Sequence, residues 1–242
     1  MATPRGERAG GTRSAVRLHP GCLSSSAEAN PRTSRLVKAG AWYNQSSMAI
    51  FTARIERAIA VALRAHGSQT RKGDGQTPYV VHPVTVALIL SRFTGDEDTI
   101  IAGLLHDTLE DTDLPPDEIA REFGDKVLHM VKDVTEPKLP GLSWDTKKAR
   151  YLRHLQTAPQ GSLLVASADK IANLISMITA HSTEGDRVWE RFNATAAEKL
   201  VFYRQVYLMI QSAWGRCPLL QEFRNRLEEV ERKVLRPQPS QS

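Results

Sequence analysis

An all-α fold is what the sequence predicts, and three observations predict it. From Ile50 onward apolar residues recur at helical spacing. No segment alternates apolar and polar residues convincingly enough to make a half-buried strand. Gly95, Gly124, Pro137, Pro140 and Gly141 punctuate the periodic stretches. With 242 residues, 41% hydrophobic and 24% charged, the chain suffices for one sizeable packed domain. The expectation is a compact array of about nine helices without internal repeats.

Each element follows from local signals. Ile55, Ile59, Ala62 and Leu63 lie at helical spacing in a first helix ending near His66. A polar loop, Gly67 to Thr77, follows, and Pro78-Tyr79-Val80-Val81 is predicted extended because prolines flank it. Pro83 suits the first turn of a second helix, where its missing N–H costs nothing; that helix runs to about Phe93. Gly95-Asp96 turns the chain into a third, Glu97 to about Glu110. Leu114-Pro115-Pro116 starts a short helix that Gly124 ends. Further amphipathic helices are expected over Lys126–Val134, Trp144–Gln156, Ser162–His181, Ala194–Ser212 and Leu219–Val234. Trp189, Phe192, Phe202 and Tyr203 are expected to build core or an interface, with core the favoured reading.

The charge is unevenly spread. Residues 1–47 hold seven basic and two acidic side chains, which accounts for the whole net charge of +5. The remainder is neutral, so the basic balance describes a tail, and no nucleic-acid groove is expected in the domain. Residues 1–47 read as a disordered basic leader, with an organelle transit peptide or a physiological start at Met48 as further readings. The domain is expected over 48–236, with a disordered tail at 237–242. Cys22 and Cys217 form no CxxC pair, which fits a reducing, cytoplasmic setting. The sequence has no run of 18 apolar residues, so no membrane partner is expected.

Chemistry concentrates in Leu104-Leu105-His106-Asp107-Thr108-Leu109-Glu110-Asp111. Apolar residues lead up to His106, and a buried imidazole or carboxylate needs a partner. His106 and Glu110, and Asp107 and Asp111, are four apart, neighbouring positions on a continuous helix. Carboxylates crowded in a dry site repel unless a cation or proton intervenes. Further ligands must come from elsewhere: His82 opens a helix, and Asp169 lies in the apolar stretch Leu163–Ala168. His82, His106, Asp107 and Asp169 form an imidazole–carboxylate set compatible with Mn²⁺, Fe²⁺ or Zn²⁺. Glu110 and Asp111 are then placed to orient or deprotonate an attacking water. Taken singly, each residue has an ordinary structural reading, as a hydrogen-bonded pair or helix cap; their conjunction in apolar settings points to a site. His19, His66, His129, His154 and His181 read as surface or packing residues.

These residues resemble a known pattern. The order His82, His106-Asp107, Asp169 resembles the H…HD…D pattern of the HD phosphohydrolase superfamily. Arg71-Lys72 before Pro78-Tyr79-Val80-Val81-His82-Pro83, then Leu104 to Thr112, Phe123-Gly124 with Val134-Thr135, Ala168-Asp169-Lys170 and Asn173-Leu174, resemble the hydrolase domain of the RelA/SpoT family. Without a synthetase or regulatory domain, the chain resembles a small alarmone hydrolase. The resemblance implies a helical HD fold that binds Mn²⁺ through His82, His106, Asp107 and Asp169. It implies removal of the 3′-pyrophosphate of guanosine tetra- or pentaphosphate, with Glu110 and Asp111 activating water and Arg71, Lys72 and Asn173 at the nucleotide. Ala166 and Ile175 stand where the family often has lysine and arginine. Both changes remove positive charge and leave another nucleotide or phosphorylated cofactor as the alternative substrate. A binding module without turnover is a rival that Glu110 and Asp111 argue against, and nucleic-acid binding rests on the tail alone.

Overall fold

The computed structural model describes residues 52–72, 75–136, 141–191 and 194–235. The expectations for 1–47 and 237–242, and for Cys22 and Phe192, lie outside these residues. Thr52 caps α1 (Ala53–His66), its Oγ accepting from the Ile55 N–H at 3.2 Å. Leu63, expected on the apolar face, is exposed.

The stretch Pro78–Val81 is a turn rather than an extended segment. Pro78 forms an isolated bridge with Thr70. Its carbonyl accepts from Val81 N–H at 3.2 Å, and that of Tyr79 accepts from His82 N–H at 2.9 Å. Val80 already has helical angles, φ −55° and ψ −21°, and α2 spans Val81–Ser91. These bonds override the preference of His82, which precedes a proline, for extended backbone. Pro83 sits in the first turn, where no acceptor awaits its nitrogen.

The predicted third helix is broken in two. Helix α3 (Glu97–Leu105) stops, and α4 (Thr108–Asp111) begins after His106-Asp107. His106 Nδ1 lies 2.9 Å from the Gly103 carbonyl, and Thr108 Oγ donates to that of Leu105 at 2.7 Å. These side chains take carbonyls that the next turn of helix would have used. Asp107 falls at φ −90° and ψ −7°, the sparsely populated bridge region. The break is why the described residues hold ten α-helices instead of about nine.

Helices α5 (Pro116–Phe123) and α6 (Asp125–Val134) meet at Gly124, whose φ of 91° suits a residue without Cβ. Ser143 caps α7 (Trp144–Leu155). Helix α8 (Gln160–Glu184) runs into a 3₁₀ turn, Gly185–Arg191. A capping box of Thr195 and Glu198 starts α9 (Ala196–Ala213). Helix α10 (Leu220–Val230) ends in a π-helical turn, Glu231–Leu235. The described residues form no strand. Phe202 and Tyr203 are buried in the core, as expected, and Trp189 is partly buried.

Helix α8 is the spine, packed by α2, α3, α6, α9 and α10. Residues Gln160–Arg191 contain an 18-residue window apolar enough to cross a membrane, with mean hydropathy 1.4, but 67% of that window is buried in the fold. Helices α2 and α3 approach closely at Gly103, where an added Cβ would lie 2.4 Å from Leu90 Cδ1. That approach sets the His82 and His106 rings 5.1 Å apart.

Candidate active site

Three parts of the fold converge. The first turn of α2 supplies His82, the α3–α4 break supplies His106 and Asp107, and the middle of α8 supplies Asp169. His82, His106 and Asp169 are buried, and one ligand atom from each falls within 4.8 Å of the others. His82 Nε2 lies 3.1 Å from Asp169 Oδ1 and 3.5 Å from Asp107 Oδ2. His106 Nε2 lies 3.0 Å from Asp107 Oδ1 and 3.6 Å from Asp169 Oδ1. The four residues expected to hold a metal thus come together.

The donor set fits a divalent cation. With Nδ1 bonded to a backbone carbonyl, Nε2 is the His106 nitrogen that faces the carboxylates, and in the neutral ring it carries the lone pair that a metal would take. That Nε2 is buried and has no hydrogen-bond partner. Burial pushes the His106 imidazolium down, but the Asp107 and Asp169 carboxylates outweigh it and hold the ring well above its usual range. Burial lowers His82. Burial pushes both carboxylates up; His106 foremost brings Asp107 below its usual range, and Lys170 foremost does so for Asp169. Two ionised carboxylates and two imidazoles in so dry a space call for a cation.

The orienting bonds around this set come from residues with no assigned role in the sequence reading, save one. Tyr79 donates to Asp107 Oδ2 at 2.7 Å and reaches Asp111 Oδ2 at 3.3 Å. Lys170 Nζ donates to Asp169 Oδ2 at 2.5 Å. Asn173, expected at the nucleotide, donates to Asp169 Oδ1 at 2.6 Å and also lines the cavity. Glu110 stands one turn beyond Asp107, its Oε2 accepting from the Glu136 N–H at 3.0 Å. Burial raises Glu110 to about 7, a value suited to passing protons near neutrality. Asp111 is exposed at the same rim.

A cavity of about 170 Å³ joins these groups, with Lys148, Tyr151 and Lys170 among its lining. Lys148 pairs with Glu136. Arg71 and Lys72 stand outside the lining. The Arg71 guanidinium lies 5.5 Å from the Tyr79 ring centroid and donates to Ser176 Oγ at 3.2 Å, while Lys72 is exposed. His66, read as surface or packing, is buried with its ring 4.6 Å from that of Tyr79. Ala166 is fully buried and Ile175 packs against the core, so neither contributes charge here.

Comparison with known proteins identifies the family of the chain. The sequence pattern of the HD domain family matches residues 58–197. The chain is 38% identical over 149 residues to human (Homo sapiens) guanosine-3′,5′-bis(diphosphate) 3′-pyrophosphohydrolase MESH1, covering 60% of this chain and 82% of that protein. It is 40% identical over 123 residues to the guanosine-3′,5′-bis(diphosphate) 3′-pyrophosphohydrolase of Aquifex aeolicus, covering 50% of this chain and only 17% of that longer protein. A solved metazoan ortholog of SpoT, described as hydrolysing ppGpp, superposes with TM-score 0.60 at 26% identity over 75% of this chain and 96% of its own.

Proposed function

Because this chain belongs to the HD domain family, we propose that it hydrolyses the 3′-pyrophosphate of guanosine tetra- and pentaphosphate, with Mn²⁺ as its metal. The products are GDP or GTP and pyrophosphate. The observation that carries the reading is the unpartnered, buried Nε2 of His106 between the Asp107 and Asp169 carboxylates, with Glu110 beside them. The names of the relatives support the substrate.

His82, His106, Asp107 and Asp169 would hold the ion. When bound, a divalent ion neutralises phosphate oxygens and lowers the pKa of water. Tyr79, Lys170 and Asn173 orient the carboxylates. Asp111 orients the attacking water, and Glu110 takes its proton. The water oxygen bonds to the phosphorus at the 3′-oxygen, the P–O3′ bond breaks, and Glu110 returns a proton to the departing 3′-oxygen. A cavity of about 170 Å³ is small beside the roughly 300–1,000 Å³ of most small-molecule sites. It suits the phosphate end, leaving the purine outside, where Arg71 can stack on it and Lys72 can meet phosphate. The catalytic domain is assigned to residues 48–236, and the cytoplasm is its assigned setting.

The test is to strip the protein of metal, resupply Mn²⁺, add ppGpp and measure GDP and pyrophosphate, with Asp107→Ala alongside. Metal-dependent release of both products, lost in the variant, is expected. A folded, metal-loaded protein that leaves ppGpp intact would falsify the assignment. Ala166 and Ile175 favour a second reading, an HD phosphohydrolase acting on another nucleotide or phosphorylated cofactor, which a nucleotide panel would reveal.

A further inference from the structure

Beside the candidate metal ligands, one polar atom of a cavity-lining residue lacks a hydrogen-bond partner within the protein. Tyr151, on α7, is 2% exposed, and its Oη is buried without a hydrogen-bond partner. The residue nonetheless lines the same cavity as Glu110 and Asp169. A buried hydroxyl left unpaired is costly, so it calls for a partner from outside the protein, a water or a ligand oxygen. Burial pushes the Tyr151 hydroxyl up, so it remains a donor at neutral pH.

Two ammonium groups share this wall. Lys170 Nζ lies 5.3 Å from the Tyr151 ring centroid, and the Phe202 ring has Lys148 Nζ at 4.5 Å and Lys170 Nζ at 5.9 Å. An ammonium has three donors. Asp169 takes one from Lys170, and Glu136 takes one from Lys148, which leaves both able to bind a further oxygen. The cavity therefore has two characters. The imidazole–carboxylate set attracts a cation, whereas the hydroxyl and two ammoniums match the oxygens of an anion.

We infer that Tyr151, with Lys148 and Lys170, forms a subsite for the distal phosphate of a pyrophosphoryl group, and holds the pyrophosphate released from it. The inference deepens the function proposed above, but its test does not depend on the nucleotide.

The experiment is calorimetric titration of the Mn²⁺-loaded full chain with pyrophosphate and, separately, with inorganic phosphate. Tyr151→Phe removes only an unpartnered hydroxyl, so its Tm should equal or exceed that of the wild type. Its pyrophosphate affinity should fall about 10-fold or more, as for a lost hydrogen bond to a charged group, while its phosphate affinity stays unchanged. Lys148→Met should show the same selective loss. Unchanged pyrophosphate affinity in both variants overturns the subsite. So does equal loss for both anions, which would place Tyr151 at the reacting phosphate. Wild-type protein that binds pyrophosphate in this way yet leaves ppGpp intact would sink the alarmone reading and keep the subsite.

Discussion

The hydroxyl of Tyr79 donates to Oδ2 of Asp107 at 2.7 Å, while the face of the same ring carries the Arg71 guanidinium at 5.5 Å. One side chain thus orients a candidate metal ligand through its oxygen and supports a candidate nucleotide cation through its ring. Tyr79→Phe separates these roles. Removal of the orienting bond should weaken Mn²⁺ binding by about 10-fold, with KM little changed because the ring remains. Titration of free Mn²⁺ by electron paramagnetic resonance reads the first quantity; wild-type affinity there would rule out the orienting role.

As the proposed base, Glu110 should give the activity its pH dependence. Burial holds it at about 7, and a base must be ionised to act, so kcat/KM should rise with pH and level off above about 7. Glu110→Gln should abolish that limb and lower kcat by roughly 100-fold or more. Stability runs the other way. In the metal-stripped native state Glu110 keeps a proton that the unfolded chain releases in the ordinary carboxylate range. Its contribution to stability should therefore fall as pH rises from about 4.5 to about 7, then level off. Urea titrations across that window should show a slope in the wild type that is reduced in Glu110→Gln.

Metal should stabilise the fold. At Mn²⁺ about 100-fold above Kd the gain is about 2.7 kcal/mol, read as a rise in Tm that chelator reverses. Asp169→Asn should lose most of this rise. An identical Tm rise in the variant would place the ion elsewhere.

Gly103 keeps α2 and α3 close. Gly103→Ala would bring a methyl group 2.4 Å from Leu90 Cδ1 and 3.3 Å from Val86 Cγ1, both in fully buried residues. Overpacking costs about 1–3 kcal/mol, offset by about 1 kcal/mol of helix propensity. A net loss of up to about 2 kcal/mol is expected, with weaker metal binding as the His82 and His106 rings move apart. Denaturant unfolding and the Mn²⁺ titration check the two effects.

The helices were legible because their apolar residues keep a period that tertiary packing does not alter. His82, His106, Asp107 and Asp169 stood out as polar residues in apolar surroundings, and the fold brings all four together. The break at His106-Asp107 was not legible, because the periodicity passes straight through it. The break arises from bonds made by His106 and Thr108 to carbonyls of their own helix. Tyr151 was hidden for a related reason: an aromatic residue on an amphipathic helix reads as core, and its ring is indeed buried. Only the tertiary fold reveals that its hydroxyl lacks a partner. The Glu136 contact to Glu110 is made by a backbone N–H, which residue identity does not specify.

The break has an electrostatic consequence as well. A helix carries about half a negative charge at its C-terminus, worth roughly 0.3–1 kcal/mol to a cation beside it. Helix α3 ends at Leu105, directly before His106 and Asp107. Its carbonyl dipoles therefore terminate beside the candidate metal ligands. An uninterrupted helix to Glu110 would carry that negative pole past the ligands to the rim of the cavity. By stopping where it does, the backbone adds a small field of the same sign to that of the carboxylates around the seat between His82 and Asp169.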